Sequence, residues 1–270
     1  MLRGIAVALL LLFVVGACSS RRLLRSLIFH PEPGVWRTPD ALGIAASDAW
    51  LVAEDGVRLH AYWLEHPGAT RALLYLHGNA GNASHRLPIA HALRELGTHV
   101  LLLDYRGYGL SEGAPDERGV QADARAALAH LVDVRHVPAS RVVVFGSSLG
   151  GAIAVELCAG QPPAGVILES TFSSLSDVAG FVVPVLGPLV AYGQFDSRSR
   201  IGQVRAPLLF FHGDRDEVIP LVLGRRLFEA APQPKQFEVL YGAGHNDTFE
   251  MGGAAYPAQI RGFLDRVTPR

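Results

Sequence analysis

The pattern Gly-x-Ser-x-Gly, which can make a serine a nucleophile, occurs twice in the 270-residue chain. The two copies are centred on Ser111 and Ser148. In this pattern a strand turns sharply into a helix, and the glycines two positions before and after the serine let the chain fold back tightly. A serine raised on such a turn can attack a carbonyl carbon and form an acyl-enzyme. The nucleophile should therefore be the serine that has a strand-like segment before it and a helical segment after it.

Ser148 has the sequence that a nucleophile turn needs. It follows the strand-like run VVVF, and the small-residue helical stretch LGGAIAVELC comes directly after it. Ser111 is followed instead by the sequence GAPD, so its helical pattern begins only beyond Pro115. Ser147 lacks the two flanking glycines. We predict that Ser148 is the nucleophile and that Ser111 is a loop serine.

A serine nucleophile also needs a base to take its proton and an acid to orient that base. His245 lies in YGAGHND, just past the last strand-like segment, where small neighbours let it reach a nearby site. Asp214 and Asp216 in HGDRDEVIP, and Glu169 at the end of an earlier strand-like segment, are candidates for the acid. From the residues alone, all three acids remain open.

The elements that position these residues alternate along the chain from residue 71. Six short apolar segments, typical of strands buried on both faces, are separated by segments with helical spacing. Each strand-like segment ends in polar or glycine residues, which in a parallel sheet meet at one crevice. Upstream, two alternating segments around Asp55-Gly56 predict an antiparallel hairpin at one edge. The fold class expected is α/β, with a doubly wound, mostly parallel sheet.

Five motifs in register resemble the α/β-hydrolase superfamily over about residues 48 to 267. They are HGNAGN at 77 to 82, DYRGYGLSEG at 104 to 113, GSSLG at 146 to 150, HGDRDEVIP at 212 to 220 and GAGH at 242 to 245. The resemblance implies that Asp216 is the acid and Asp214 a neighbour. It also implies that the glycine-rich loop that carries Ser111 is a common feature of the superfamily and does not supply the catalytic serine.

Acyl transfer needs hydrogen-bond donors for the oxygen that becomes negative in the transition state. Leu149, directly after the predicted nucleophile, can supply one backbone N–H. The resemblance assigns the second to the backbone N–H of Asn79. We expect His77 to brace this loop and not to act as a second base.

Residues 171 to 205 interrupt the alternation of strands and helices, and we expect them to form a small helical cap over the crevice. Phe181, Val182, Val185, Leu186 and Leu189 could line an acyl pocket or could equally pack the cap onto the sheet. The expected organisation is a signal or anchor at 1–18, an extension at 19–47 and a hydrolase domain at 48–270. A chain that begins near Trp36 is expected to fold and to keep its full activity on small esters.

Composition narrows the possible partners and cofactors. A formal net charge of −1, with no long run of like charge, gives no reason to expect nucleic acid binding. No metal-ligand spacing, phosphate loop or dinucleotide fingerprint is present, so we expect neither a metal nor a cofactor. The chain has two cysteines, and Cys158 lies among apolar residues, which favours a buried, inert thiol. We expect a monomer.

The first 18 residues have one early arginine, an apolar run from Ile5 to Val15 and then small residues, as secretory signals do. The ending VGAC resembles a bacterial lipoprotein processing site, which implies a lipid on Cys18 and a place at the cell membrane or envelope. An uncleaved transmembrane anchor is the alternative, with Arg21 and Arg22 then favouring a cytoplasmic domain. Both alternatives attach the protein to a membrane by its N-terminus.

The expected function is hydrolysis of carboxylic esters or thioesters, acting on a small-molecule or acylated substrate. A peptidase, an acyltransferase or a cofactor-free peroxidase could use the same residues, since fold and triad do not fix the acceptor. A binding protein without activity is disfavoured because the whole set of residues is present. Dehalogenase and epoxide hydrolase chemistry is disfavoured because position 148 is Ser and not Asp.

Overall fold

The computed structural model describes residues 25, 26, 28–184 and 186–269. The expected signal segment with Cys18, and Val185 of the expected cap, lie outside these residues. The described chain contains an eight-stranded sheet. Its strands are β1 (Ser47–Val52), β2 (Arg58–Leu64), β3 (Ala72–Leu76), β4 (His99–Leu103), β5 (Val142–Ser147), β6 (Gly165–Glu169), β7 (Leu208–Gly213) and β8 (Lys235–Leu240).

The spatial order of the strands is β1-β2-β4-β3-β5-β6-β7-β8. The β1–β2 and β2–β4 pairs are antiparallel, and all the later pairs are parallel. This confirms the expected doubly wound, mostly parallel sheet with an antiparallel hairpin at one edge. All residues of β3 and β6 are buried, which is why their sequences are continuous apolar runs and do not alternate.

Helices cover both faces of the sheet. They are α1 (Ala83–Arg94), α2 (Glu117–Ala129), α3 (Leu149–Gly160), α4 (Leu175–Val182), α5 (Leu186–Val190), α6 (Ser197–Ile201), α7 (Leu221–Ala230), α8 (Thr248–Met251) and α9 (Ala255–Val267). Apolar residues of α2, α3 and α7 pack with one face of the sheet, and those of α1 and α9 pack with the other. Each face therefore has its own hydrophobic core.

The strand order reverses at β3, which lies between β4 and β5. The chain leaves β3 towards one edge of the sheet and leaves β5 towards the other. The loops after these two strands therefore diverge and open a crevice at their carboxyl ends, where ligands bind in open α/β sheets. The loop after β3 carries Asn79, and the turn after β5 carries Ser148. Between β6 and β7, helices α4 to α6 occupy the expected cap region.

Residues 28–36, which we call the N-terminal strap, lie against the loops that follow β3 and β4. Pro31 forms a bridge with Gly81, and Pro33 forms one with Gly109. Phe29 is buried in the core. The expected domain start at residue 48 therefore leaves out chain that packs into the domain. In the part of the chain that the structure describes, no helix is long and apolar enough to cross a membrane.

Candidate active site

Ser148 stands on a strained turn between β5 and α3. Its φ of 54° and ψ of −118° lie in a region that non-glycine residues rarely adopt. Such a conformation costs about 1–3 kcal/mol and persists only where the surroundings enforce it. The Ser148 N–H donates to the Glu169 carbonyl at 2.8 Å, and the Thr171 hydroxyl donates to the Ser148 carbonyl at 2.8 Å. Contacts with the end of β6 and the residues that follow it thus hold the turn in place.

The two glycines of the motif are required by close packing. A Cβ atom on Gly150 would lie 2.0 Å from the carbonyl oxygen of Leu76, and one on Gly146 would lie 2.5 Å from the carbonyl oxygen of Gly150. Both separations are far below van der Waals contact. The glycines therefore let α3 fold back onto the end of β3, which brings Ser148 next to the loop after that strand.

Ser148, His245 and Asp216 form one chain of hydrogen bonds. The Ser148 hydroxyl donates to Nε2 of His245 at 3.0 Å, and Nδ1–H of His245 donates to Oδ2 of Asp216 at 2.7 Å. The other oxygen of Asp216, Oδ1, accepts the backbone N–H groups of Val218 at 3.0 Å and Ile219 at 2.7 Å. These bonds orient the carboxylate, which fixes the tautomer that leaves Nε2 free to take a proton.

The two other candidate acids have different partners. Asp214 accepts the backbone N–H of Gly242 at 2.6 Å and so braces the turn after β8. Glu169 is buried, and it accepts hydrogen bonds from the Ser147 hydroxyl at 3.2 Å and from the Tyr256 hydroxyl. Burial raises the pKa of the Glu169 carboxyl. Of the three acids, Asp216 is the one hydrogen-bonded to His245.

Ser111 lies in the loop after β4, and this loop uses its hydroxyl. Oγ of Ser111 donates to the carbonyl of Asp104 at 2.8 Å and accepts the backbone N–H of His60 at 2.8 Å. The hydroxyl of Ser147 faces Glu169 instead of His245. Of the three serines in the two motifs, Ser148 is the one whose hydroxyl reaches the histidine.

The loop that follows β3 lies directly beside Ser148. A Cβ atom on Gly78 would lie 3.3 Å from Cβ of Ser148 and 3.9 Å from its Oγ. Asn79 and Leu149 line the same cavity as Ser148 and His245. Leu149 is the first residue of α3, and the first N–H groups of a helix have no partner within it. Both expected oxyanion donors thus belong to residues at the wall of the site.

The side chain of Asn79 ties this loop to the N-terminal strap. Its Nδ2 donates to the carbonyl of Ile28, while its Oδ1 accepts the backbone N–H of His30 at 3.1 Å and the Tyr108 hydroxyl at 2.9 Å. Nδ2 of Asn82 donates to two further strap carbonyls, each at 2.9 Å. Sequence reasoning missed the strap. The signal was the segment HPEPG at 30 to 34, since a residue before proline favours extended backbone.

His77 lies beneath the same loop and is fully buried. Its Nδ1–H donates to the carbonyl of Gly78 at 2.7 Å, and its own carbonyl accepts the hydroxyl of Tyr105 at 2.9 Å. Burial lowers the pKa of His77 to about 4, so the ring is neutral at neutral pH. These contacts make His77 a brace for the loop.

The cavity above Ser148 has a volume of about 810 Å³. Of the expected cap residues, Val182 and Leu186 line it. Phe181 and Leu189 are exposed and do not line it, so the expectation does not hold for these two. The rest of its apolar lining comes mostly from the strap, α1, the start of α3, the cap region and the loop after β7. These residues are Ile28, Ile89, Leu149, Phe172, Leu175, Val178, Ala179, Val183, Ala191, Val218 and Ile219.

Two observations concern other chemistry. Cys158 is buried on α3, and burial raises the pKa of its thiol, which agrees with the expected inert cysteine. Within the described residues, no group of three or more His, Cys, Asp or Glu side chains could hold a metal ion.

The α/β hydrolases share this architecture: a doubly wound sheet, a serine on a glycine-flanked turn from a strand into a helix, and a histidine after the last strand. The sequence profile of the serine aminopeptidase S33 family matches residues 68–198. An uncharacterized protein of Mycobacterium tuberculosis is 40% identical over 244 residues, which are 89% of this chain and 86% of that protein. The α/β-hydrolase domain-containing protein WAV2 of Arabidopsis thaliana is 35% identical, over 86% of this chain and 82% of its own.

An uncharacterized membrane protein of Saccharomyces cerevisiae is also 35% identical, over 84% of this chain and 82% of its own. Among solved structures, an esterase of Pyrococcus furiosus superposes with a TM-score of 0.74 at 21% identity, covering 88% of this chain and 98% of that one. At this identity the likeness concerns the fold. The chain belongs to the α/β-hydrolase family.

Proposed function

We propose that the protein is a serine hydrolase that cleaves carboxylic esters or thioesters through an acyl-enzyme. The observation that carries this proposal is the hydrogen-bonded chain from Ser148 Oγ to His245 Nε2 at 3.0 Å and from His245 Nδ1 to Asp216 Oδ2 at 2.7 Å. In it Ser148 is the nucleophile, His245 the general base and Asp216 the residue that orients the histidine.

In the first half of the reaction, Oγ of Ser148 attacks the substrate carbonyl carbon while Nε2 of His245 takes the hydroxyl proton. The carbonyl oxygen becomes an oxyanion, which the backbone N–H groups of Asn79 and Leu149 stabilise by hydrogen bonds worth a few kcal/mol each. When the tetrahedral intermediate collapses, the bond to the leaving group breaks. His245 returns the proton to the departing alcohol or thiol, and the acyl group stays on Ser148.

In the second half, a water molecule gives its proton to His245 and attacks the acyl carbon. Collapse of this second tetrahedral intermediate releases the carboxylic acid and returns the proton to Ser148. The backbone N–H groups of Val218 and Ile219 hold the Asp216 carboxylate in one orientation in both halves. The same carboxylate oxygen therefore accepts the Nδ1–H of His245 before and after Nε2 takes a proton.

The cavity favours an apolar acyl group. Its volume of about 810 Å³ and the apolar residues on its cap side suit a hydrocarbon chain, whose burial yields about 0.8 kcal/mol per methylene. We therefore expect kcat/KM to rise as the acyl chain of a small ester lengthens. A screen of esters that differ only in chain length measures this.

Labelling with a fluorophosphonate, which reacts with activated serines, tests the proposal. The wild type should be labelled, Ser148→Ala should not be, and Ser147→Ala and Ser111→Ala should remain labelled as matched controls. Undiminished labelling of the Ser148→Ala protein would show that another residue is the nucleophile.

Cleavage of amide bonds is the second candidate, favoured by the match to the serine aminopeptidase S33 profile. The same three residues would act, and the leaving group would be an amine. Profiling an ester, a thioester and an amide of one acyl group separates the two. The ester proposal predicts that the amide is the slowest of the three by at least about a hundredfold, a difference of about 2.7 kcal/mol in activation free energy.

We also propose attachment to a membrane through the N-terminus, by a lipid on Cys18. The support is the lipoprotein-like sequence at 1–18 and the membrane protein among the relatives. Ile28 lines the cavity, so the proposed attachment point at Cys18 precedes a residue of the site by ten positions along the chain. Cys18→Ser should leave an unprocessed precursor. Mass spectrometry of the extracted protein distinguishes a lipid on Cys18 from an uncleaved anchor. An intact Met1 with an unmodified Cys18 would indicate a transmembrane anchor instead.

A further inference from the structure

Arg86 is a cation on the wall of an otherwise largely apolar cavity. It lies in the first turn of α1, and its guanidinium donates one hydrogen bond, to the carbonyl of Ala80 at 3.1 Å. Across the described chain, no carboxylate forms an ion pair with it. Within the described residues, Arg86 is the one Lys or Arg side chain that lines the cavity, whereas Arg106 and Arg226 lie outside the lining and are paired with Asp123 and Asp177.

Glu169 is the carboxylate among the residues that line the cavity, so it is the group that could neutralise Arg86. Its oxygens are already engaged by the hydroxyls of Ser147 and Tyr256. Tyr75 also lines the cavity. Burial raises the pKa of its hydroxyl, Glu169 adds to this rise and Arg86 opposes it. Arg86 and Glu169 thus line the same cavity without forming an ion pair with each other.

The position of Arg86 relates it to the reacting carbonyl. Ala80, which accepts its hydrogen bond, is the neighbour of Asn79 in the expected oxyanion loop. Asn79 and His30 of the strap, which are hydrogen-bonded to each other, line the same cavity as Arg86. The cap side is apolar. An acyl chain against the cap would leave its leaving group beside Arg86.

An uncompensated guanidinium in such a cavity is desolvated when an apolar chain enters, which is unfavourable unless an anion pairs with it. Its planar fork matches the oxygens of a phosphate or a carboxylate, and charge-assisted bonds of this kind are about twice as strong as neutral ones. Resting on the proposed hydrolase function, we propose that Arg86 forms an anion subsite and that the preferred substrate is an acyl ester whose leaving group carries a phosphate or carboxylate.

Three dodecanoyl esters test this subsite: 1-dodecanoylglycerol as the neutral case, its 3-phosphate, and dodecanoyl lactate, which carries a carboxylate. The wild type should cleave an anionic ester with a kcat/KM at least about tenfold above that of the neutral one, equivalent to about 1.4 kcal/mol. Arg86→Gln, which can still donate to the Ala80 carbonyl, should remove this preference and leave the neutral ester within about twofold. Arg86→Lys should retain part of it.

Arg261→Gln is the matched control. Arg261 lies on α9, its guanidinium also donates to a backbone carbonyl, that of Glu95 at 3.3 Å, and it does not line the cavity. A loss confined to the phosphate ester assigns the subsite to phosphate, and one confined to the lactate ester assigns it to carboxylate. The subsite is overturned if Arg86→Gln slows all three esters equally, or if the control reproduces the loss.

Binding to the Ser148→Ala protein separates the subsite from catalysis. Calorimetry with decyl phosphate and with the neutral 1-decylglycerol ether should show tighter binding of the phosphate, and the addition of Arg86→Gln should abolish the difference. If hydrolysis fails while this difference remains, the subsite stands and the proposed function falls. If labelling depends on Ser148 but both ligands bind equally with and without Arg86, the subsite falls and the hydrolase proposal stands.

Discussion

The side-chain amide of Asn79 is hydrogen-bonded to the backbone carbonyl of Ile28, 51 residues earlier in the chain. The same amide accepts the backbone N–H of His30 at 3.1 Å. An expected oxyanion residue is thus held by the segment that joins the domain to the N-terminal 24 residues. The strap supports the site directly, and the extension before β1 is more than a spacer.

Removal of the strap should lower catalysis. A chain that begins at Trp36 loses Ile28 and His30, two of the three partners of the Asn79 side chain, and the core residue Phe29. This prediction replaces the expectation from sequence that such a chain is fully active. We expect kcat on a short ester to fall at least about tenfold, because a misplaced oxyanion donor is worth a few kcal/mol. A chain that begins at Arg25 is the control. Equal kcat values for the two chains would show that the strap does not position the loop.

Asp216→Asn should lower kcat by about four orders of magnitude, because an amide there no longer fixes the productive tautomer of His245. Asp214→Asn should lower it less than about tenfold, since Asp214 contacts the N–H of Gly242 and not the histidine. Steady-state kinetics on one ester compare the two. If Glu169→Gln gave the largest loss, the acid would instead come from the end of β6.

Burial of His77 should make the protein less stable in mild acid. Its pKa is about 4 in the folded protein and about 6.5 when exposed, so between these values the unfolded chain binds a proton that the folded one does not. Stability therefore falls as the pH drops from about 6.5 to 4, by about 3 kcal/mol from this group.

His77→Asn, which keeps a donor for the Gly78 carbonyl, should remove this part of the pH dependence. Urea unfolding at pH 7 and pH 4.5 measures the free energy of unfolding of both proteins. Burial also lowers the pKa of His212, but that contribution is common to the two and cancels in the comparison. If the free energy of unfolding fell by the same amount between pH 7 and pH 4.5 in both proteins, the prediction would be wrong.

Gly150→Ala should destabilise the fold by at least about 1–3 kcal/mol, because its Cβ would lie 2.0 Å from the Leu76 carbonyl oxygen. Gly160→Ala, at the other end of α3, is the matched control, since no atom lies within 4 Å of its added Cβ. There we expect a gain of about 0.5–1 kcal/mol from the better helix former. Thermal unfolding distinguishes the two, and equal shifts would show that the packing argument is wrong.

Much of the architecture followed from local pattern. The six parallel strands were predicted because strands buried on both faces need continuous apolar residues, and the hairpin because Asp55-Gly56 separates two alternating segments. Ser148 was predicted to be the nucleophile because a strand-like segment precedes it and a helical segment follows it. These features depend on residues within a few positions of one another, so the sequence by itself determined them.

The tertiary structure decided what depends on distant residues. From the residues alone, Asp214, Asp216 and Glu169 stood equal, and only the turn after β7 brings one of them within 2.7 Å of His245. The side chain of Asn79 binds backbone groups of Ile28 and His30 in the strap, and the extended segment HPEPG does not specify which distant residue these groups meet. Arg86 lines the cavity with Ser148 and has no carboxylate partner among the described residues, and the residues beside it in the sequence indicate neither property. Such contacts are set by the packing of the whole chain, because the groups that meet are far apart along it.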